Sequence, residues 1–305
     1  MYDTDEQAAA ARVEKIHEAL LEYHRLFDIY HEYEGINNIK TVNDSAGVSP
    51  VKVDARLIEL VLYAKRMHAL TGGKMNIAMG GVLRIWHDYR QDGIENPERA
   101  ALPPMEELAA AAAHTDLENV VVDEAAGTIY LADPELQLDL GGIAKGYAGR
   151  MLVEQMRADG VDSMLLSLGG NVCAIGRRLD GQSWKVSVQS PDMQGALCTV
   201  NVDGLSLVTS GSYQRYYTVD GERYHHVIDP DTLMPAQYFD SVSVLCADSA
   251  LADALSTALM NLPLAEGRAL VEGLAGAEAL WVDTAGAVSC TDGFKAAMAD
   301  IEAAA

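Results

Sequence analysis

Basic residues are scarce in this chain: 22 Lys and Arg stand against 45 Asp and Glu, a formal net charge of -23. The field of such a chain repels polyanions, and no Lys/Arg cluster interrupts it, which argues against nucleic acid or an anionic membrane surface as partner. Cysteine is also sparse. Cys173, Cys198, Cys246 and Cys290 show no C-x-x-C spacing, so neither a zinc site nor a dense disulfide framework is indicated. No apolar run of about 18 residues is present and no basic-then-apolar leader opens the sequence, so the chain as given is expected to be soluble. Proline-rich linkers and fixed-period repeats are absent too. With 49% hydrophobic residues over 305 positions, the chain can bury a large core.

What is present reads as helices followed by strands. Apolar residues at helical spacing over 5–27 (Val13, Ile16, Leu20, Tyr23, Phe27) predict an amphipathic helix, and 54–71 predicts a second, ended by Gly72-Gly73. The stretch between them is polar and Gly/Asn-rich, 92–104 reads as a loop, and 105–113 as a helix. From about 118 short strands dominate: a hairpin in NVVVDEAAGTIYLADP, a strand in QLDLGG, a strand–Gly–Gly–strand unit in SMLLSLGGNVCAIG, and further strands ending with EALWVD. Helices are predicted at 146–159, 249–262 and 264–274. The whole reads as α+β: a single large domain of mixed β-sheets with packed helices.

Three segments concentrate polar chemistry. In LDLGGIAKGY (138–147) a strand is expected to end at Leu140 and a helix to begin near Lys145. Backbone N–H groups at such a turn attract phosphate, Gly141 and Gly142 permit close approach, and Lys145 adds a point charge. An ordinary turn with a solvated lysine is the alternative. In DSALADALSTALMNL, Asp248 or Ser249 caps a helix that places Asp253 and Thr257 one turn apart. A carboxylate and a hydroxyl on an apolar helix suit a hard cation such as Mg²⁺; a solvated Asp253, with Thr257 bonded back to its carbonyl, is the bland reading. In YHHVIDPDTLMP, His225 and His226 alternate in direction, so one of them can serve as a general base. The segments LGGNV and VTSGSYQRYY bring glycines and small hydroxyls that either meet a ligand or shape turns, and Tyr30 can stack on a planar ring. Met75 and Met79 read as core fillers.

Taken in order, TGGKMNIAMGGVLRIWHDYR, LDLGGIAKGY, LLSLGGN, VTSGSYQRYY, HHVIDP and DALSTAL resemble the motifs of the FAD:protein FMN transferase (ApbE) family over nearly the whole chain. The resemblance implies one ApbE-like, T-fold-related domain over 1–305 that binds FAD as substrate with Mg²⁺ at its pyrophosphate. It implies FAD contacts from Tyr30, Lys74, Met75, Asn76, Asp139, Lys145, Ser210, His226, Val227 and Ile228. Metal ligands would be the Gly142 carbonyl, Asp253 and Thr257, with His226 and Asp253 catalytic. The implied reaction passes FMN to a threonine or serine of an acceptor flavoprotein and releases AMP; an FAD pyrophosphatase and a non-catalytic FAD carrier are the alternatives.

Lys74-Met75-Asn76 replaces the family's Ala-Phe-Asp, and Leu233 stands where the family has glycine. The family's N-terminal strand has no counterpart before Tyr2, so a trimmed start is expected. The resemblance also implies an extracytoplasmic place, with membrane association only through a lipid anchor outside this sequence.

Overall fold

The computed structural model describes residues 6–299; Tyr2, on which the expectation of a trimmed start turns, lies outside them. In chain order the helices are α1 (Glu6–Phe27), α2 (Ile39–Asp44), α3 (Ala55–Leu70), α4 (Gly80–Glu95), α5 (Met105–Ala112), α6 (Ala144–Ala158), α7 (Ser249–Met260), α8 (Leu264–Glu272) and α9 (Asp292–Ala297). The strands are β1 (Val51–Lys52), β2 (Val120–Asp123), β3 (Thr128–Leu131), β4 (Met164–Ser167), β5 (Asn171–Ile175), β6 (Trp184–Gln189), β7 (Ala196–Val202), β8 (Ser206–Gly211), β9 (Tyr216–Val219), β10 (Glu222–His225), β11 (Phe239–Cys246), β12 (Glu278–Asp283) and β13 (Val288–Cys290). This is the expected α+β class with mixed sheets and packed helices. The chain divides into two compact units. Among the described residues one comprises 6–20, 145–213 and 237–299, the other 21–144 and 214–236.

The first unit is built on a six-stranded sheet ordered β13-β12-β11-β8-β5-β4, with every neighbouring pair antiparallel. Strand alternation sorts its side chains between two faces. Leu207 and Leu245, paired across β8 and β11, join Val188, Val200, Val202, Leu280 and Phe294 in a core. Ser210, paired with Val242, falls on the other face, where α7 packs on β8 and β11. Helix α7 is buried nearly all round (Ala250, Ala252, Ala254, Leu255, Ala258, Leu259), which suits an Ala-rich helix laid on a sheet. Asp248 is its N-cap, its Oδ1 accepting from the amides of Ala250 (2.8 Å) and Leu251 (3.3 Å).

The second unit holds the three-stranded sheet β1-β3-β2 and the hairpin β9–β10. Its core gathers Met79, Val82, Trp86, Leu108, Tyr217, Val219 and Ile228. Helix α4 lies on β9 so closely that a Cβ on Gly93 would stand 2.5 Å from Cδ2 of Tyr217.

Several sequence expectations are corrected here. QLDLGG is not a strand. Gln137 makes one isolated bridge with Met79 and Gly141-Gly142 form a turn; Gly80 N–H bonds the Gln137 carbonyl, Asp139 N–H bonds that of Ile77, and the Asn43 side chain takes both backbone groups of Leu138, so scattered partners replace a ladder. The polar stretch after α1 contains a short helix, α2, because Asn38 and Thr41 form a capping box. Helix α4 runs to Glu95, into the supposed loop, and EALWVD is followed by β13 and α9. The reading assigned no hairpin to 216–225, although Asp220-Gly221 sits between the strands with φ of 52° and 88°. That is the type I′ turn that Asp-Gly favours.

Candidate active site

In the first unit the candidate residues converge on α7. Asp253 is only 4% exposed, and its Oδ2 accepts the Gly146 amide at 2.7 Å. Burial raises its pKa to about 6, against the pull of Lys145 and the Gly146 hydrogen bond. This is far from the solvated carboxylate of the bland reading. The glycine is required: a Cβ on Gly146 would lie 2.4 Å from both Asp253 Cβ and the Ser249 carbonyl oxygen. The motif's third glycine therefore seats α6 against α7.

Lys145 is exposed, its Nζ donating to the Gly169 carbonyl at 3.4 Å. Gly169 and Gly170 have φ of 55° and 83°, so the LGGN glycines shape a hairpin turn and at the same time present a carbonyl to that lysine. Ser210 Oγ lies 2.8 Å from Ser256 Oγ, which donates to the Asp253 carbonyl at 3.0 Å. Thr257 follows Asp253 by one turn and is partly exposed.

Among the described residues no three His, Cys, Asp or Glu side chains gather as a metal cluster. The donor set still suits a hard cation. One buried carboxylate destabilised by desolvation, a hydroxyl one turn away and a nearby lysine form a partial site, and Mg²⁺ commonly takes one or two protein carboxylates with substrate phosphates completing its shell.

The second unit holds the remaining candidates. Asp139 Oδ1 accepts the Gly141 amide at 2.7 Å, and burial pushes its pKa up. Gly142 lies in the turn entering α6. Tyr30 is 58% exposed, with its ring centroid 5.9 Å from that of His87, and so offers a free face. Lys74 Nζ pairs with Asp229 (2.7 Å) and Asp231 (2.8 Å); against the downward pull of burial, these carboxylates hold its pKa up.

Met75 is core, as expected of a filler. Its N–H bonds Thr71 Oγ1 and its carbonyl lies 3.2 Å from His68 Nδ1. The Asn76 side chain donates to Thr115 O and accepts from Ala78 N. Val227 and Ile228 are buried, the carbonyl of Val227 accepting from Ala236 N.

The two histidines separate cleanly. His225 Nε2 donates to the Ala236 carbonyl (2.6 Å) while Nδ1 accepts from Val227 N (3.2 Å), so both ring nitrogens serve the loop. His226 keeps a buried Nδ1 with no hydrogen-bond partner. Burial, then the charges of Arg215, His225 and Arg90, lower its pKa to about 3.

Sequence reading missed Arg90, Arg215 and the Lys74–Asp229 pair. The i, i+3 spacing of His87 and Arg90 was the available signal for the first of these; nothing local announced the others.

The model of the ApbE family matches residues 2–281. An FAD:protein FMN transferase of Klebsiella pneumoniae (strain 342) is 30% identical over 268 residues, covering 85% of this chain and 81% of that protein. The transferase of Treponema pallidum is 36% identical over 260 residues, covering 80% and 70%. Among solved structures, the ApbE protein of Thermotoga maritima superposes with a TM-score of 0.84 at 29% identity, covering 95% of this chain and 92% of that one. The Pseudomonas stutzeri flavinyl transferase ApbE, in its apo form, gives 0.79 at 27%, covering 95% and 88%. Matched over most of its length by the family model, by relatives of 30% identity or more and by solved structures, the chain belongs to the ApbE family.

Proposed function

We propose that this protein, acting as one flavin-transferase domain, moves FMN from FAD to a threonine or serine hydroxyl of an acceptor flavoprotein and releases AMP. The observation that carries the reading is Asp253: a carboxylate held in a nearly dry position, where it destabilises the chain unless a cation or proton meets it. The names of the similar transferases supply the flavin.

Asp253 and Thr257 would hold Mg²⁺, and the resemblance adds the carbonyl of Gly142. When bound, the ion offsets charge growing on the pyrophosphate oxygens. Lys145 adds a positive charge on the same helix start. His226, neutral at physiological pH and with Nδ1 unengaged, accepts the proton of the acceptor hydroxyl. That oxygen forms the new bond to the FMN phosphorus, the bond from phosphorus to the bridging oxygen breaks, and AMP leaves with that oxygen. Tyr30 offers its exposed face to the flavin ring. A place outside the cytoplasmic membrane belongs to the same proposal and rests on the resemblance.

The test incubates purified protein with FAD and Mg²⁺, with and without an acceptor domain, and reads products by mass spectrometry. Flavin on the acceptor, lost in His226→Gln and Asp253→Ala, supports transfer. FMN formed equally without acceptor points to hydrolysis, and intact FAD in both tubes points to a carrier; either outcome overturns the proposal.

A further inference from the structure

Helix α4 presents His87 and Arg90 on one face, and Arg90 Nη2 donates to His87 Nδ1 at 3.1 Å. His87 in turn neighbours the exposed ring of Tyr30. One turn further on, Gly93 rests on Tyr217, two residues after Arg215, and the Arg215 carbonyl accepts the His226 amide at 3.1 Å. Arg90, Arg215 and His226 therefore belong to one unit, near enough for both arginine charges to act on His226. Burial and the charge of Arg215 lower the pKa of Arg90. Among the described residues no carboxylate lies within ion-pair distance of either guanidinium.

In a chain with twice as many acids as bases, two arginines that repel each other beside an imidazole whose buried Nδ1 has no partner are anomalous. Acidic side chains are plentiful, yet among the described residues none pairs with either guanidinium; the charges of Asp139 and Asp88 reach Tyr30, and that of Asp139 reaches His87. Such an arrangement is relieved by an anion from outside, and a guanidinium fork matches a phosphate better than a point charge does.

We propose that Arg90 and Arg215 form an oxyanion clamp beside His226 for the phosphate carried by the flavin mononucleotide half of the donor. The assignment rests on the flavin-transfer reading. It names the flavin-linked phosphate because Tyr30, the exposed aromatic face, is joined to Arg90 through His87. Burial is the main cause of the low pKa of His226, and a bound phosphate would offset the part that the two arginine charges add to it.

The test measures binding of FMN, riboflavin and AMP without Mg²⁺, by flavin fluorescence quenching and calorimetry, to the full chain and to Arg90→Gln, Arg215→Gln and the double variant. Wild type should prefer FMN over riboflavin by about tenfold or more, the scale of one or two charge-assisted hydrogen bonds. Each variant should lose much of that preference with riboflavin binding unchanged. Should Arg90→Gln fail to fold, the exposed Arg215 carries the test. Equal binding of FMN and riboflavin by wild type, retention of the preference by the double variant, or equal loss of riboflavin binding overturns the clamp. Transfer to an acceptor without any FMN preference would sink the clamp alone; an arginine-dependent preference without transfer would sink the transfer reading and leave the clamp standing.

Discussion

Removing the charge of Asp253 should stabilise the metal-free protein while abolishing its response to Mg²⁺. Burial raises this carboxyl from 3.8 to about 6, and at about 1.4 kcal/mol for each tenfold in proton affinity the ionised form costs about 3 kcal/mol at neutral pH. The sign follows from the direction of the shift: the folded state keeps the proton longer than the unfolded chain, so stability falls as pH rises from about 4 to about 6 and is flat above. Asp253→Asn keeps an acceptor for the Gly146 amide and sheds the charge. In EDTA at pH 7.5 it should melt up to about 5 °C above wild type if the chain unfolds in one step, taking about 2.1 cal/mol/K of unfolding entropy per residue. At pH 4 the two should nearly coincide. Wild type should gain about 2.7 kcal/mol at a Mg²⁺ concentration of 100 times its Kd, and the variant nothing. A variant less stable than wild type in EDTA at pH 7.5, or an advantage that persists at pH 4, would refute the desolvation argument; an undiminished Mg²⁺ response would remove the metal assignment.

Gly146→Ala drives a methyl into two atoms 2.4 Å away; α6 and α7 must separate, and urea unfolding should show a loss of about 1–3 kcal/mol or more together with weakened Mg²⁺ binding. Lys74→Ala strands the buried carboxylate of Asp229, 8% exposed, at about 2–3 kcal/mol in denaturant melts. Because Lys74 titrates above its ordinary 10.5, its contribution is complete below that pH and is lost only as pH rises through the raised value; the deficit should therefore be level across pH 7–9, and Asp229→Asn in the same chain should recover part of it. Gly221→Ala, at φ 88°, should cost about 1 kcal/mol in equilibrium unfolding. His225→Ala should lower stability through the lost bonds to Ala236 and Val227, whereas His226→Gln should leave the melting temperature close to wild type, as calorimetry can compare directly.

Periodicity and cap residues made α1, α3 and α7 legible, since an amphipathic stripe or an Asp248 cap is written within a few neighbouring positions. The same holds for the β2–β3 and β4–β5 hairpins, whose turns are local. QLDLGG misled because alternation describes which side chains are buried, not what the backbone bonds; its partners, Asn43, Ile77 and Gly80, are distant in sequence.

By itself the sequence determined the fold class, the family resemblance and the positions where acid, hydroxyl and glycine recur in order. Only the tertiary structure decided which of two adjacent histidines has its ring nitrogens occupied, that Gly146 exists to admit Asp253, and that the Arg215 carbonyl bonds the His226 amide in the unit that also holds Arg90. Those depend on desolvation and on approaches of a few ångströms between residues up to a hundred or more positions apart, and neither quantity is encoded in any local stretch of chain.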